Sequence, residues 1–97
     1  MARSVPPASR LLKRSRRWRI WEMTLLPGET YPMHEHRHPY FSVILEGTTV
    51  VMTDPLGKEE RLRLRPGDVV YRVPPDTHAV RNIGRRRFRN RLIELVD

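Results

Sequence analysis

Ninety-seven residues leave room for one domain around one modest core, because a chain this short buries only about two-thirds of its unfolded surface. Cysteine is absent, which excludes a disulfide framework and thiolate chemistry, and nine prolines among short apolar runs argue against a helical bundle. The formal charge is +8, and seventeen of the nineteen basic residues are arginines gathered toward the two ends.

In chain order, residues 1–16 (MARSVPPASRLLKRSR) combine paired prolines, serines and like charges, and read as a disordered basic arm. The arm lacks the apolar middle of a signal peptide, so the expected address is the cytoplasm. No apolar run approaches the roughly 20 residues that cross a bilayer, and no membrane partner is expected. From Arg17 the texture changes to short runs of period-two character separated by Pro-Gly and Asp-Pro punctuation. RWRIWEMTLL is a strand, ended by Pro27-Gly28. YFSVILEG and TTVVMTD follow as a second and third, the latter closed by Asp54-Pro55-Leu56-Gly57. EERLRLR alternates charge and apolar bulk, as a strand with one wet face does. After Pro66-Gly67 come DVVYRV, HAVRNIG and FRNRLIELV. Seven or so strands at intervals of about ten residues predict an all-β sandwich or barrel over 17–97, with no helix.

All four histidines fall in two places: His34, His36 and His38 in HEHRHPY, and His78 after the second Pro-Gly turn. Alternate residues of a strand share a face, so His34 and His36 point one way, Glu35 and Arg37 the other. His78, brought in from a neighbouring strand, completes one side of a coordination sphere. Imidazole is the commonest protein ligand for first-row transition metals, and three protein ligands with open positions is what a catalytic metal needs.

The spacing carries a resemblance. Gly28, five residues, His34-x-His36, three residues, Tyr40, six residues and Gly47 is similar to the first motif of the cupin superfamily. Gly67, ten residues, His78, three residues and Asn82 resembles the second, with Val73 and Pro75 where the family carries proline and glycine. The two motifs and the segment joining them cover residues 28–82. The resemblance implies a single small cupin barrel, a double-stranded β-helix or jelly roll. It also implies one divalent metal (Fe2+, Zn2+, Ni2+, Mn2+ or Cu2+) held near one mouth by His34, His36 and His78.

Tyr40 departs from the family, standing where a glutamate ligand is usual. An ordinary phenol pKa near 10 disfavours coordination at neutral pH. The expectation is therefore a three-histidine site, as in some iron thiol dioxygenases of the family, with Tyr40 orienting substrate or donating a proton. Loss of the carboxylate leaves the site one charge more positive and predicts an anionic small-molecule ligand. Arg72 is the candidate to pair with its carboxylate. Asn82 shares parity with His78 and is either a substrate contact or a hydrogen-bond anchor of the barrel. His38 is assigned to the rim or to proton shuttling behind the ligands. Trp18, Trp21, Met23, Phe41 and Tyr71 read as core or dimer-interface residues.

Cupin relatives include dioxygenases, isomerases, lyases and decarboxylases, so the resemblance implies a site and leaves the reaction open. The expected function is a small-molecule metalloenzyme, leaning to an Fe(II)-dependent dioxygenase. The alternative is a non-catalytic module that binds a metal or small ligand and recruits a partner through its basic tail. With Phe88 the one aromatic of the C-terminal arginine cluster, the sequence argues against nucleic acid. A homodimer is expected, with FRNRLIELV as an edge capable of pairing.

Overall fold

The computed structural model describes residues 5–96. Pro-Gly turns and β-branched runs produce nine strands among the described residues: β1 (Arg10–Arg14), β2 (Trp18–Leu25), β3 (Thr30–His36), β4 (Tyr40–Glu46), β5 (Thr48–Thr53), β6 (Glu59–Leu64), β7 (Val69–Arg72), β8 (Asp76–Asn82) and β9 (Phe88–Leu95). They form a five-stranded sheet in the order β1-β2-β9-β4-β7 and a four-stranded sheet in the order β3-β8-β5-β6. Every pairing is antiparallel. The expected all-β jelly-roll barrel is what the chain adopts. No helix of the described residues is long and apolar enough to cross a membrane.

Turn chemistry sets these strands in place. At Leu26–Glu29 and Arg65–Asp68 the fourth amide donates to the first carbonyl, with proline second and glycine third. Gly28 and Gly67 lie at φ 87° and 93°, the left-handed region that a Cβ disfavours. The inward faces then close over Met23, Leu25, Ile44, Val50, Val80 and Phe88, all buried.

Two expectations are corrected here. The arm is in part a strand: β1 pairs with β2 from Arg10↔Glu22 to Arg14↔Arg19. Ala8 is fully buried, and the Tyr31 hydroxyl lies 2.8 Å and 2.9 Å from the carbonyls of Pro6 and Ala8. All five β1 side chains are exposed, so no period-two apolar pattern marks the strand in sequence; backbone pairing to the edge of β2 holds it. Residues 1–4 lie outside the described residues. Secondly, β9 is no edge. It lies between β2 and β4 with both sides paired, and the edges of its sheet are β1 and β7.

Asn82 anchors the end of the barrel remote from the histidines. It is fully buried, and its amide donates to the carbonyls of Leu25 (2.9 Å) and Arg86 (2.8 Å) while its oxygen accepts from the Gly84 amide (2.9 Å). Removing it leaves three backbone groups unpaired, at about 1–3 kcal/mol. Asn82→Ala should therefore lower the thermal midpoint by several degrees while leaving metal content unchanged; loss of metal without loss of stability would contradict the anchor.

Candidate metal centre

The histidines face inward because β3 contains a bulge. Tyr31 pairs with Val80 and His34 with His78, so Pro32 and Met33 oppose only Ala79. An extra residue inverts the pleat that follows. In an unbroken strand continuing the pleat of Tyr31, Met33 and Glu35 would point into the barrel. With the bulge, His34 and His36 do, and both are buried. Proline suits this place because a bulged residue makes no ladder hydrogen bond.

Three ring systems meet there. His34 and His78 are direct cross-strand neighbours with ring centroids 4.7 Å apart, and His36 lies 4.6 Å from His34 and 5.0 Å from His78. One ring nitrogen from each falls within 4.8 Å of the others. His34 Nδ1 is 2.8 Å from the Pro32 carbonyl, which can only accept, so the proton sits on Nδ1 and Nε2 offers a lone pair. His78 Nδ1 is held in the same way by Asp76 Oδ1 at 3.0 Å, leaving its Nε2 free.

His34 Nε2 and His36 Nε2 stand 2.9 Å apart. That is close to the spacing of two nitrogens at right angles around an ion at about 2.0–2.1 Å. Burial pushes the His34 pKa down to about 4, and burial with the neighbouring histidines pushes His36 down to about 3. Both rings are thus neutral at pH 7, the form a metal ligates. The buried His36 Nδ1 has no partner among the described residues. This donor set fits a divalent transition metal.

The residue that sequence reasoning missed is Asp76. It is buried and pairs with His36 across β3 and β8. Its carboxylate accepts from Tyr40 Oη (2.6 Å), Arg72 Nε (2.9 Å), Arg72 Nη2 (3.1 Å) and His78 Nδ1 (3.0 Å). Burial alone would raise its pKa, but hydrogen bonds from His78, Arg72 and Tyr40 outweigh that and hold it far below the ordinary carboxylate range. The one cue in sequence was its parity with His78, two residues away.

Tyr40 is buried, stacked on His36 with centroids 4.1 Å apart, and its hydroxyl is committed to Asp76. Burial and that hydrogen bond raise its pKa beyond the ordinary phenol value, so it is not an anionic ligand. Arg72 reaches the mouth, with Nη1 4.0 Å from Glu60. His38 is half-buried and outside the cluster. Glu35 and Arg37 face solvent and pair with each other at 3.0 Å.

Two spaces adjoin the histidines. An inner cavity of about 50 Å³ runs into the apolar core, where Ser42 and Asn90 supply the polar floor. Asn90 Nδ2 is 2.8 Å from Ser42 Oγ, and Asn90 Oδ1 has no partner among the described residues. Outside lies a polar cleft of about 470 Å³ between Asp54, Glu59, Glu60, Lys58 and Arg72, with Asp76 and His78 at its base.

Because Asp76 orients His78 and restrains Tyr40 and Arg72, Asp76→Asn should weaken metal affinity by about 10–100-fold. Competition against a chromophoric chelator measures this; unchanged affinity would remove Asp76 from the site.

Comparisons agree with this geometry. Residues 21–90 match the family model described as Cupin domain. A cupin domain from Bordetella pertussis Tohama I superposes with a TM-score of 0.84 at 22% identity, covering 100% of this chain and 99% of that one. A cupin superfamily protein from Desulfitobacterium hafniense DCB-2 gives 0.69 at 27% identity, covering 100% and 84%. The polyketide cyclase RemF from Streptomyces resistomycificus gives 0.65 at 19% identity, covering 86% and 57%. No curated protein sequence matches. With its inward-facing histidines and a family match spanning most of its length, this chain belongs to the cupin superfamily.

Proposed function

We propose that this cupin is a metalloenzyme acting on a small molecule, and within that class an Fe(II)-dependent dioxygenase. The observation that carries the reading is the buried three-histidine cluster, without a carboxylate among its ligands, beside a cavity of about 50 Å³. His34, His36 and His78 would hold the ion. Bound there, a divalent metal supplies Lewis acidity and, as iron, redox chemistry with dioxygen.

The chain's own residues do the rest. Asp76 fixes the His78 tautomer; Tyr40, held by Asp76, keeps its ring against His36 and excludes water from that side. Substrate enters through the outer cleft, and Arg72 Nη1 meets its anionic group. The carboxylates of Asp54, Glu59 and Glu60 on the rim outnumber Lys58 and Arg72, so the preferred ligand carries one negative group directed at the metal and none on the side facing solvent.

Elemental analysis tests the site. Wild-type protein should carry close to one iron per chain, lost in both His34→Ala and His78→Ala. The iron-loaded protein should consume oxygen with some member of a panel of thiols, diketones and phenols. Stoichiometric metal with no turnover across the panel would favour a second reading, a module that captures an ion or very small ligand. The narrowness of the inner cavity supports that reading.

Homodimerisation is also proposed, through Phe41 and Tyr71 rather than through the β9 edge, which is paired on both sides. Phe41 and Tyr71 lie with ring centroids 4.7 Å apart on the outer face of the β1-β2-β9-β4-β7 sheet, beside exposed Val69 and Leu95 and next to the open edge of β7. Light scattering should give twice the chain mass for wild type and a shift toward monomer for Phe41→Glu/Tyr71→Glu; a wild-type monomer overturns it.

A further inference from the structure

The arginines divide into two populations. Arg10, Arg19, Arg37, Arg72, Arg87 and Arg89 each have a carboxylate within 4.0 Å. The other described arginines have none, and four of these, Arg63, Arg65, Arg85 and Arg86, line one groove of about 350 Å³ together with Gly47–Thr49, Leu64 and Pro66. No acidic side chain lines it. Seven residues of β4, roughly 20 Å, separate this groove from the histidines.

The backbone that carries these four exposed arginines is braced. Asn82, fully buried, holds the Arg86 carbonyl and the Gly84 amide, fixing the loop that carries Arg85 and Arg86. That loop lies on Thr48, since a Cβ on Gly84 would fall 1.5 Å from Thr48 Oγ1. A Cβ on Gly47 would collide with the Leu64 carbonyl, so the wall bearing Arg63 and Arg65 also lies close. The Arg65–Asp68 turn steadies its far side through the Asp68 carboxylate, which accepts from the Arg65 amide at 2.8 Å.

Four arginines around one groove with no carboxylate among its lining leave an unbalanced positive potential, which a multivalent anion relieves. Their planar forks match phosphate oxygens, and the Thr49 hydroxyl, opposite Arg63 in the β5–β6 pairing, adds a neutral donor. The groove has no aromatic side chain on which a base could stack, which disfavours single-stranded nucleic acid. We propose that this groove binds a phosphorylated small molecule through its diphosphate group, whether free inorganic diphosphate or the diphosphate end of a larger metabolite. The proposal is independent of the reaction at the histidines.

Titration calorimetry of the full chain with inorganic pyrophosphate tests it. Wild type should bind one per chain, and Arg63→Gln/Arg86→Gln should weaken binding tenfold or more with an unchanged thermal midpoint. Arg14→Gln/Arg16→Gln removes equal charge elsewhere and should change affinity less than twofold. His78→Ala should bind as wild type does. Equal weakening by the two arginine pairs would show diffuse attraction and overturn the site, as would no binding at all. Loss in His78→Ala would place the anion on the metal instead. A single-stranded oligonucleotide binding more tightly than pyrophosphate, equally sensitive to both pairs, would replace the groove by a nucleic-acid surface. A nucleoside diphosphate binding more tightly than pyrophosphate, through the same arginines, would identify the larger metabolite as the source.

Discussion

The functional end of this barrel depends on one buried carboxylate. Asp76 sits on the four-stranded sheet, yet two of its partners, Tyr40 and Arg72, come from the five-stranded sheet opposite. An isolated carboxylate in such a place would be protonated or excluded. Four hydrogen bonds make it tolerable as an anion, and the same bonds lock the two sheets together at the mouth. Tyr40 in the place of a glutamate is then less a lost ligand than half of a substitution, since the negative charge stands behind the histidines instead of among them. A metal held by the three histidines would keep its charge undiminished by any directly bound carboxylate, while Arg72 balances Asp76.

A second constraint is the bulge at Pro32–Met33. His34 and His36 share a face because the pairing between them is regular, from His34↔His78 to His36↔Asp76. Which side they take is a separate matter, decided by one extra residue in β3 relative to β8. The bulge also presents the Pro32 carbonyl to His34 Nδ1, so one local irregularity selects both the face and the tautomer.

The charge of the chain is distributed to different ends. At the outer face of β2, β4 and β9, Glu22 and Glu46 gather Arg10, Arg87 and Arg89 into a network, with Arg89 joining both carboxylates. Hydrogen bonds from Arg89, reinforced by Arg10, outweigh burial and draw the Glu22 pKa below its ordinary value. Around the groove of Arg63 and Arg86 no such partners exist among the described residues. An arginine-rich composition therefore contains a part paired with carboxylates and a part without such partners, and counting charges in sequence does not separate them.

Strand texture, the Pro-Gly turns at Gly28 and Gly67, and the histidine spacing were local properties, and from them the all-β barrel and the meeting of His34, His36 and His78 were legible in the sequence. Each depends on backbone preference or on the two-residue period, which neighbours in the chain determine. What lay beyond reach were relations between distant residues. β1 has no apolar alternation and exists because β2 offers an unpaired edge. β9 has the composition of an edge and becomes an interior strand because β2 and β4 flank it. Asp76 looks like a turn residue after two prolines until the fold brings Tyr40, Arg72 and His78 to it. Hydrogen bonding and desolvation act across space, so tertiary structure alone decided that the Tyr40 hydroxyl is occupied, that Asn82 serves the barrel, and that four arginines share one groove.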